Sequence, residues 1–368
     1  MDAARLRSAY PVLRRTAYLN AGTCGPVPEA AQRAAAEAWQ DGVQEGRSGS
    51  FYERLGTLST QLRERYAQLV GAGEAGDVAL TTGTSDGCGR VVAGLELGPG
   101  DEVLTADDEH PGLQGPLAAA RRERGVTIRA VPLADVADAV SAATRLVACS
   151  HVSWASGALA PVDALAAVAR GGVPVLLDGA QGVGAVPVDV RALGVTFYAG
   201  SGQKWLCGPV GTGMLWLDPA WRDRLAVPAP AYGNLAEPGA GLDSDLAPDA
   251  RRFDAGSQDL ATVAAAACAL DVLGEAGWAD VHSRARDLAG QLADQLRAAG
   301  HDVVDRGPST LVSWQLAGDA EAEAERDRLA AEGIVVRNLP GTGRVRASVG
   351  AWNDEDDLAR LVGALAGR

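Results

Sequence analysis

The sequence predicts an α/β fold in which a mostly parallel sheet of seven strands is covered by helices. Short apolar segments alternate with helical patterns through the middle of the chain, as in folds built from strand–helix–strand units. Several of these segments lack the strict alternation of a half-exposed strand, which indicates that both of their faces are buried. Ligands in such sheets bind beyond the carboxyl ends of the strands.

Seven candidate strands define this sheet, and each is followed by a turn or a helical pattern. They end at Thr82, Thr105, Leu133, Ser150, Asp178, Gly200 and Leu217. Polar side chains stand at or just after several of these ends, namely Thr84, Ser85, His110, His151, Asp178 and Ser201. The sequence therefore predicts a polar site along one edge of the sheet.

The C-terminal part of the chain has a different order of helical and strand-like segments, which predicts a second, smaller α+β domain. Helical patterns near 258–274 and 277–299 precede four strand-like segments, HDVVD, STLVSWQL, GIVVRNL and RVRASV, and a helix from about Asp354. We expect a large domain of residues 20–254 and a small domain of residues 1–19 and 255–368. The stretch 232–249, rich in Gly, Pro, Asp and Ala, is predicted to be a long loop.

Composition and charge limit the function classes. The 368 residues are 47% apolar and 22% charged, typical of a globular protein, and the net charge of -14 disfavours nucleic acid and anionic membrane as partners. The N-terminal segment lacks a secretory pattern, and no apolar run approaches the ~20 residues of a membrane span. The five cysteines lack paired spacing. We expect a cytoplasmic protein with reduced thiols and no metal site.

Lys204 is the only lysine in the chain, and it stands in the segment SGQKWLCGPVGTG. Arginine keeps its proton at ordinary pH, whereas a lysine amine can lose its proton and add to an aldehyde. Asp178 ends a buried strand-like segment upstream and could keep a pyridine nitrogen protonated. Together they predict a pyridoxal 5'-phosphate enzyme. Taken singly, Lys204 could be a surface lysine and Asp178 a helix N-cap.

Other residues fit the same cofactor. Gly83, Thr84 and Ser85 lie between a strand and a helical pattern, where backbone N–H groups and hydroxyls bind phosphate. Ser201 and Gln203 could add hydrogen bonds to that phosphate. His110 could stack on the pyridine ring or be an ordinary loop histidine, and we interpret His151 as structural. Arg337 and Arg346 are candidates for a substrate carboxylate, and spacing alone selects neither.

Read together, these motifs resemble the class V aminotransferase-like family of fold type I pyridoxal-phosphate enzymes. The resemblance runs through nearly the whole chain, in the segments YLNAGTCGP, TTGTSDG, DEHPG, SHVSWASG, DGAQ, SGQKWLCGPVGTG, FDAGSQ and VRASVG. That family includes cysteine desulfurases, isopenicillin N epimerase-like proteins and cysteine/cystine C–S lyases.

The resemblance implies a role for each matching residue. Lys204 would carry the cofactor, Asp178 would pair with its ring nitrogen, His110 would stack on the ring, and Gln181 would approach its phenolic oxygen. The phosphate would be held by residues at the start of one helix and before the lysine, namely Gly83, Thr84, Ser85, Ser201 and Gln203. Ser257 would reach the phosphate of a partner subunit, which implies a homodimer. The substrate would be bound by Arg346, Arg337, Asn20 and Trp154.

Departures from the family pattern favour one branch. Gln203 stands where the family more often has histidine. Desulfurases carry a cysteine on a mobile loop shortly before the segment that matches RAS, whereas residues 333–346 of this chain contain none. Trp154 stands where desulfurases commonly have asparagine. These features resemble the C–S lyases most.

The expected reaction is α,β-elimination on cysteine, cystine or a related sulfur amino acid, which gives pyruvate, ammonia and sulfide or persulfide. A desulfurase using another thiol, such as Cys24 or Cys207, an epimerase and an aminotransferase are alternatives on the same cofactor, and a cofactor-free binding module is a non-enzyme alternative. The segment GAGEAG matches a dinucleotide-binding pattern, but it precedes a strand instead of following one, so we interpret it as compositional.

Overall fold

The computed structural model of the protein describes residues 2–366. Its α-helices are α1 (Ala3–Ser8), α2 (Glu29–Gln44), α3 (Gly49–Leu69), α4 (Thr84–Gly94), α5 (Pro111–Arg124), α6 (Val162–Arg170), α7 (Val190–Leu193), α8 (Leu260–Ala276), α9 (Trp278–Ala298), α10 (Asp319–Ala331) and α11 (Glu355–Ala366). Its strands are β1 (Ala17–Tyr18), β2 (Val78–Thr81), β3 (Glu102–Ala106), β4 (Thr127–Val131), β5 (Thr144–Ser150), β6 (Val175–Asp178), β7 (Phe197–Ser201), β8 (Gly213–Leu217), β9 (Leu311–Gln315), β10 (Ile334–Val335), β11 (Arg337–Leu339) and β12 (Arg344–Ser348).

The predicted seven-stranded, mostly parallel sheet is confirmed. Its strand order is β2-β8-β7-β6-β5-β3-β4, and only β8 runs against its neighbours β2 and β7. The remaining pairs are parallel, so their carboxyl ends meet along one edge. That edge carries Ser150, Asp178 and Ser201 at the ends of β5, β6 and β7.

The lack of hydrophobic alternation in these strands follows from cores on both faces of the sheet. In β6, Val175 and Leu177 belong to one buried cluster, whereas Leu176 between them belongs to the other. Because successive side chains of a strand point to opposite faces, a strand between two cores is apolar throughout.

The C-terminal part forms a second sheet, with the antiparallel order β11-β12-β9. The predicted strand in HDVVD is not a regular strand. Val303 makes an isolated bridge to Trp314, and a few further backbone hydrogen bonds join this segment to β9. The segment GIVVRNL is two short strands because the chain changes partners: β10 pairs with β1 near the N-terminus, and β11 pairs with β12.

Helix α8 follows the predicted domain boundary at residue 255, and it lies on the side of the large sheet. It packs against α2 and α3, and its residues Val263 and Leu270 belong to a core cluster of that sheet. The boundaries of the two domains stay a prediction. The segment 232–249 contains two 3-10 turns, Tyr232–Asn234 and Pro238–Asp243, and an isolated bridge between Leu235 and Leu246.

Between residues 2 and 366, no single helix has the length and apolar character to cross a membrane. Helices α8 and α9 satisfy the length and composition criteria together, as a pair bent by 81°. All five cysteines are free thiols.

A buried ion pair ties α3 to the first strand of the large sheet. The Arg63 guanidinium donates to both carboxylate oxygens of Asp254, at 3.0 and 2.7 Å, and also to the carbonyl of Val78. Asp254 accepts a third hydrogen bond from the Leu80 amide at 2.8 Å. Removing one partner of such a pair leaves the other charge buried without compensation.

We expect Arg63→Ala to lower the free energy of unfolding by about 3–5 kcal/mol, because it leaves the Asp254 carboxylate buried and unpaired. Arg54→Ala, on the same helix, is the matched control: Arg54 pairs with Asp41 where both side chains are exposed. Its loss should cost less than about 1 kcal/mol. Urea unfolding followed by circular dichroism measures both, and equal losses would contradict this account.

Candidate active site

Lys204 lies in the turn that leaves β7, next to the end of β6. Asp178, the last residue of β6, is paired in register with Ala199 of β7. Burial lowers the pKa of Lys204 to about 8, and the negative charge of Asp178 acts in the opposite direction. The amine therefore loses its proton more readily than that of an exposed lysine, while a carboxylate nearby still stabilises its cationic form.

The turn around Lys204 is tightly constrained by backbone contacts. Cys207 has a φ of 57°, and within residues 2–366 no other non-glycine residue has a positive φ. Its amide donates to the carbonyl of Lys204 at 3.1 Å. A Cβ at Gly25 would come within 2.2 Å of that same carbonyl oxygen, so the approach requires glycine. Backbone strain of this kind persists where surrounding contacts fix the geometry, as they do here.

Asp178 is a buried carboxyl whose nearest hydrogen-bond donor is the backbone. One of its oxygens accepts from the Ala180 amide at 2.9 Å. Burial raises the pKa of Asp178, and the positive charge of Lys204 and the Ala180 amide counteract that effect. A buried acid with a spare oxygen can bind a further N–H cation.

Helix α4 begins at the edge of the sheet beside Lys204, and the structure brings two of the predicted phosphate ligands together there. The hydroxyls of Thr84 and Ser201 are 2.8 Å apart, and the Thr84 amide donates to the Ser201 hydroxyl at 3.3 Å. Gly83, with a φ of 153°, leads into the helix. Ser85 follows, exposed at the first turn. The first amides of any helix have no partner within it, so they are available to an anion.

His110 caps the N-terminus of α5, and its hydrogen bonds define its tautomer. Its Nδ1 accepts from the Gly112 amide at 2.9 Å, so in the neutral ring the proton sits on Nε2. Burial lowers the pKa of His110 to about 4, and the positive charges of Lys204, Arg346 and Arg337 act in the same direction. The ring is therefore neutral at physiological pH.

Trp154 joins His110 to Arg346. The indole ring meets the imidazole edge to face, with 5.1 Å between ring centroids. Its backbone carbonyl accepts a hydrogen bond from Arg346 Nη1 at 2.6 Å. Its own Nε1 donates to the carbonyl of Asp108 at 2.7 Å. The predicted ring-stacking histidine and the predicted carboxylate-binding arginine are thus held by one residue.

Arg346 is a buried cation without an anionic partner. Its side chain belongs to a residue that is 1% exposed, and its Nε has no hydrogen-bond partner. Burial lowers the pKa of Arg346 to about 9, and the charge of Arg337 adds to that effect. The two arginines face each other across β11 and β12, and no ion pair among residues 2–366 uses either of them. Their guanidinium groups can therefore bind anions from outside the protein.

Gln181 and Asn20 each keep a polar side-chain group that a ligand could use. Gln181 Nε2 donates to the carbonyl of Gly22 at 2.8 Å, and its Oε1 accepts from Trp205 Nε1 at 2.9 Å. One N–H of the Gln181 amide remains for a ligand. Asn20 forms a bridge with Ser348, and its side-chain oxygen is buried without a partner.

Ser257 forms no hydrogen bond with the other predicted ligands. It is exposed and lines a cavity with Thr82, Thr212 and Gly213, outside the hydrogen-bonded group around Thr84 and Ser201. His151, interpreted as structural, is buried and hydrogen-bonded through Nδ1 to the Tyr198 hydroxyl at 3.0 Å.

Sequence reasoning missed Glu109, which precedes His110 in DDEHPG. Because it follows two aspartates, the sequence suggests a solvent-exposed side chain. In the structure Glu109 is buried and accepts a hydrogen bond from the Ser150 amide at 2.6 Å. Burial raises the pKa of Glu109 to about 8. Its place directly before a candidate ring-stacking histidine was the one available signal.

The site fits pyridoxal phosphate on the evidence of its own unsatisfied groups. An amine with a lowered pKa stands beside a buried acid with a free oxygen, and a helix N-terminus with two hydroxyls lies next to them. Gln203 Oε1 is buried without a partner in the same turn as Lys204, and a half-turn of the amide would present its NH2 to a phosphate. The aldehyde, the ring nitrogen and the phosphate of the cofactor each find a suitable group.

Comparison with known proteins identifies the family. The class-V aminotransferase family model matches residues 18–361. A cysteine desulfurase of Klebsiella pneumoniae (strain 342) is 30% identical in an alignment 408 positions long, gaps included, which covers 98% of this chain and 97% of that protein. An isopenicillin N epimerase of Streptomyces clavuligerus is 27% identical in an alignment 377 positions long, gaps included, which covers 94% of this chain and 93% of that one.

Solved structures share the fold of this chain. The cystine C–S lyase C-DES, in complex with its reaction product cysteine persulfide, superposes with a TM-score of 0.92 at 26% identity, covering 97% of this chain and 99% of that one. A C-DES mutant with glycine covalently linked to the PLP cofactor gives a TM-score of 0.93 at 25% identity, over 98% and 99% of the two chains. This protein therefore belongs to the class-V aminotransferase family of pyridoxal-phosphate-dependent enzymes.

Proposed function

We propose that the protein is a C–S lyase that performs α,β-elimination on L-cystine or a closely related sulfur amino acid. Cystine and water would give pyruvate, ammonia and cysteine persulfide. Both cysteine desulfurases and a cystine C–S lyase are similar to this chain, so the proposal depends on features that separate the two reactions.

The turn between β11 and β12 supports elimination over the desulfurase reaction. A desulfurase needs a loop cysteine here to attack the substrate sulfur, whereas this turn is only residues 340–343, Pro-Gly-Thr-Gly. The Asp319 carboxylate accepts from the amides of Gly341 and Gly343, both at 2.7 Å. The Thr342 hydroxyl donates to the Leu339 carbonyl at 2.7 Å. A short, fixed turn without a thiol has no group that could attack the substrate sulfur. This supports elimination, in which the sulfur departs as part of the leaving group.

The paired arginines support a substrate with two carboxylates. Arg346 and Arg337 stand opposite each other in register, and neither has a carboxylate partner among the ion pairs of residues 2–366. One guanidinium would bind the carboxylate beside the reacting α-carbon, and we assign this role to the more buried Arg346. Arg337 would bind the carboxylate of the distal half of cystine.

The side chains divide the chemistry among them. When bound, pyridoxal phosphate supplies an aldehyde for the substrate amine and a protonated ring that accepts electrons from the α-carbon. Asp178 would hold the proton on the ring nitrogen, and neutral His110 would lie flat against the ring. Lys204, with its lowered pKa, would take the α-proton once its amine is free. Gln181 would offer its remaining N–H to the phenolic oxygen.

We also propose a homodimer. Ser257 is exposed and takes no part in the hydrogen bonds between Thr84 and Ser201, which supports a phosphate in a second subunit as its partner. Trp39, Val43 and Tyr52 on α2 and α3 are 60%, 67% and 64% exposed, an apolar surface of the kind that pairs with another chain. The cytoplasmic location expected from the sequence stays a prediction.

Product analysis tests the reaction. With L-cystine we expect pyruvate and ammonia in equal amounts together with a persulfide, and no alanine. The absorbance of the bound cofactor should change on addition of the substrate. Lys204→Ala should abolish turnover, since it removes the proposed base. Alanine as the main product would instead identify a desulfurase, D-amino acid an epimerase, and an aminated keto acid an aminotransferase.

Arg337 provides a test of the substrate. We expect Arg337→Ala to raise the KM for cystine about 10- to 100-fold, because one charge-assisted contact is lost. The KM for S-methyl-L-cysteine, which has a single carboxylate, should stay within about twofold of the wild-type value. Arg344→Ala is the matched control on the neighbouring strand, since Arg344 donates to Gln315 instead. An equal loss for both substrates would contradict a distal-carboxylate role.

The titration of Lys204 tests the electrostatics of the site. Because it is the only lysine, reductive methylation of the apoprotein with a carbon-13 label gives one lysine signal, which Lys204→Arg must lack. Its midpoint should lie near pH 8. Asp178→Asn should move the midpoint lower, because the carboxylate favours the charged amine. An unchanged or higher midpoint in that variant would refute the coupling.

A further inference from the structure

Gly22 is a buried residue to which the proposed chemistry gives no role. It belongs to a loop of residues 20–25, which we call the N-terminal loop. The first residue of the loop bridges Ser348 of the small sheet, and the amide of its last residue donates to the Gln203 carbonyl at 2.8 Å. The loop therefore joins the small sheet to the turn that follows β7.

Hydrogen bonds from outside hold the N-terminal loop in place. Gln181 Nε2 donates to the Gly22 carbonyl at 2.8 Å, and the Tyr18 hydroxyl donates to the Cys24 carbonyl at 3.0 Å. Both acceptors are backbone groups, so these bonds fix the path of the chain itself. A side chain added to the loop would therefore have to displace its neighbours.

The backbone at Gly22 does not itself require glycine. Gly22 is not among the residues with a positive φ. The amides of Thr23 and Cys24 both donate to the Asn20 carbonyl, at 2.9 and 3.1 Å, as in a turn of helix. Alanine usually stabilises a protein where it can adopt the native conformation, because it restricts the unfolded chain. A requirement for glycine here must come from a contact.

The contact is with Arg346. A Cβ at Gly22 would come within 2.7 Å of Arg346 Nη2 and 3.0 Å of its Cζ, and within 2.7 Å of Ser348 Oγ. These distances lie below the ~3.5 Å of a favourable contact between nonbonded heavy atoms. Arg346 and Ser348 are 1% and 0% exposed, and the Ser348 amide donates to the Leu19 carbonyl at 2.7 Å. A methyl group at position 22 would therefore push the guanidinium away from the loop.

Two contacts define where the Arg346 guanidinium lies. Its Nη1 donates to the Trp154 carbonyl at 2.6 Å, and its Nη2 lies against Gly22. No group between residues 2 and 366 accepts a hydrogen bond from Nη2. Nη2 is therefore free to donate to a ligand, and the absence of a side chain at Gly22 sets its position.

We propose that Gly22 is a positioning residue for the substrate carboxylate: because it has no side chain, the Arg346 guanidinium lies directly against the N-terminal loop with Nη2 free for the substrate. This inference rests on the proposed role of Arg346 as the group that binds the α-carboxylate. The bond from Gln181 reaches the Gly22 carbonyl, which any residue would keep. A side chain at position 22 would therefore disturb the substrate side of the site and leave the cofactor side in place.

Titration of the resting holoenzyme, followed by the absorbance of bound pyridoxal phosphate, tests this role. The probes are L-alanine and ethylamine, which share an amine and differ in the carboxylate. We expect Gly22→Ala to raise the apparent Kd of L-alanine about tenfold or more, because a charge-assisted contact is displaced. The apparent Kd of ethylamine should stay within about twofold, and the absorbance spectrum before addition should not change, because the Gly22 carbonyl still binds Gln181.

A double-mutant cycle shows whether Gly22 acts through the arginine. Arg346→Ala should itself weaken the binding of L-alanine, and Gly22→Ala in that background should change the Kd by less than about twofold, since the displaced group is gone. Gly56→Ala is the matched control: a Cβ at Gly56, exposed on α3, would meet no atom within 4 Å, so both Kd values should stay at wild type. Equal losses for L-alanine and ethylamine, or an undiminished loss in the Arg346→Ala background, would overturn the proposal.

Unfolding of the apoprotein gives a second measurement that needs neither cofactor nor turnover. Overpacking against Arg346 should raise the unfolding constant of Gly22→Ala about tenfold relative to wild type. In the Arg346→Ala background the same change should leave the constant within about twofold or lower it, because the Ser348 hydroxyl can turn into the space left. The same rise in both backgrounds would overturn the proposal. If Gly22→Ala alone does not fold, a folded double variant supports it and an unfolded one overturns it.

The reaction and the positioning role can fail separately. Expected results with both probes and in unfolding, without elimination from cystine, would contradict the proposed reaction alone. A Kd of L-alanine that Arg346→Ala leaves unchanged would overturn the carboxylate role of Arg346 and, with it, the positioning role of Gly22.

Discussion

The attraction between Lys204 and Asp178 is the interaction around which the site is built. It requires two neighbouring parallel strands, β6 and β7, to end at the same edge of the sheet, each with a core on both faces. Burial favours the neutral amine, whereas the carboxylate favours the cation, and the pKa of Lys204 settles at about 8. An amine balanced in this way can add to an aldehyde and later act as a base near physiological pH.

The charged groups near Lys204 and Asp178 include two arginines, although the chain as a whole is acidic. The protein carries a net charge of -14, yet the positive charges of Arg346 and Arg337 act on Lys204. Burial, together with repulsion from neighbouring positive charges, lowers the pKa values of Lys204, Arg346 and His110. A substrate that brings carboxylates relieves this repulsion, so binding energy is available where the reaction takes place. The small sheet supplies both arginines, and the Trp154 carbonyl, just after β5 of the large sheet, accepts a hydrogen bond from Arg346.

Much of this could be predicted from the sequence, because it depends on local patterns. The apolar strands and the polar residues at their ends predicted the large sheet and brought Lys204, Asp178, Thr84 and Ser201 to one edge. The errors arose where tertiary contacts decide. HDVVD has strand-forming residues but only an interrupted ladder beside β9, and Glu109 looks solvated until β5 covers it. Neither the pairing of Arg337 with Arg346 nor the positive φ of Cys207 has a local signature.

A chain whose surface cations are all arginine has a consequence for how it acquires its cofactor. Pyridoxal phosphate forms adventitious adducts with accessible lysines on many proteins, since any unprotonated primary amine can capture an aldehyde. Here the single lysine lies inside the site, so apart from the amino terminus no side chain competes for the aldehyde. Among the side chains, aldehyde capture is thereby restricted to Lys204, and excess cofactor in the surroundings finds no surface lysine to modify.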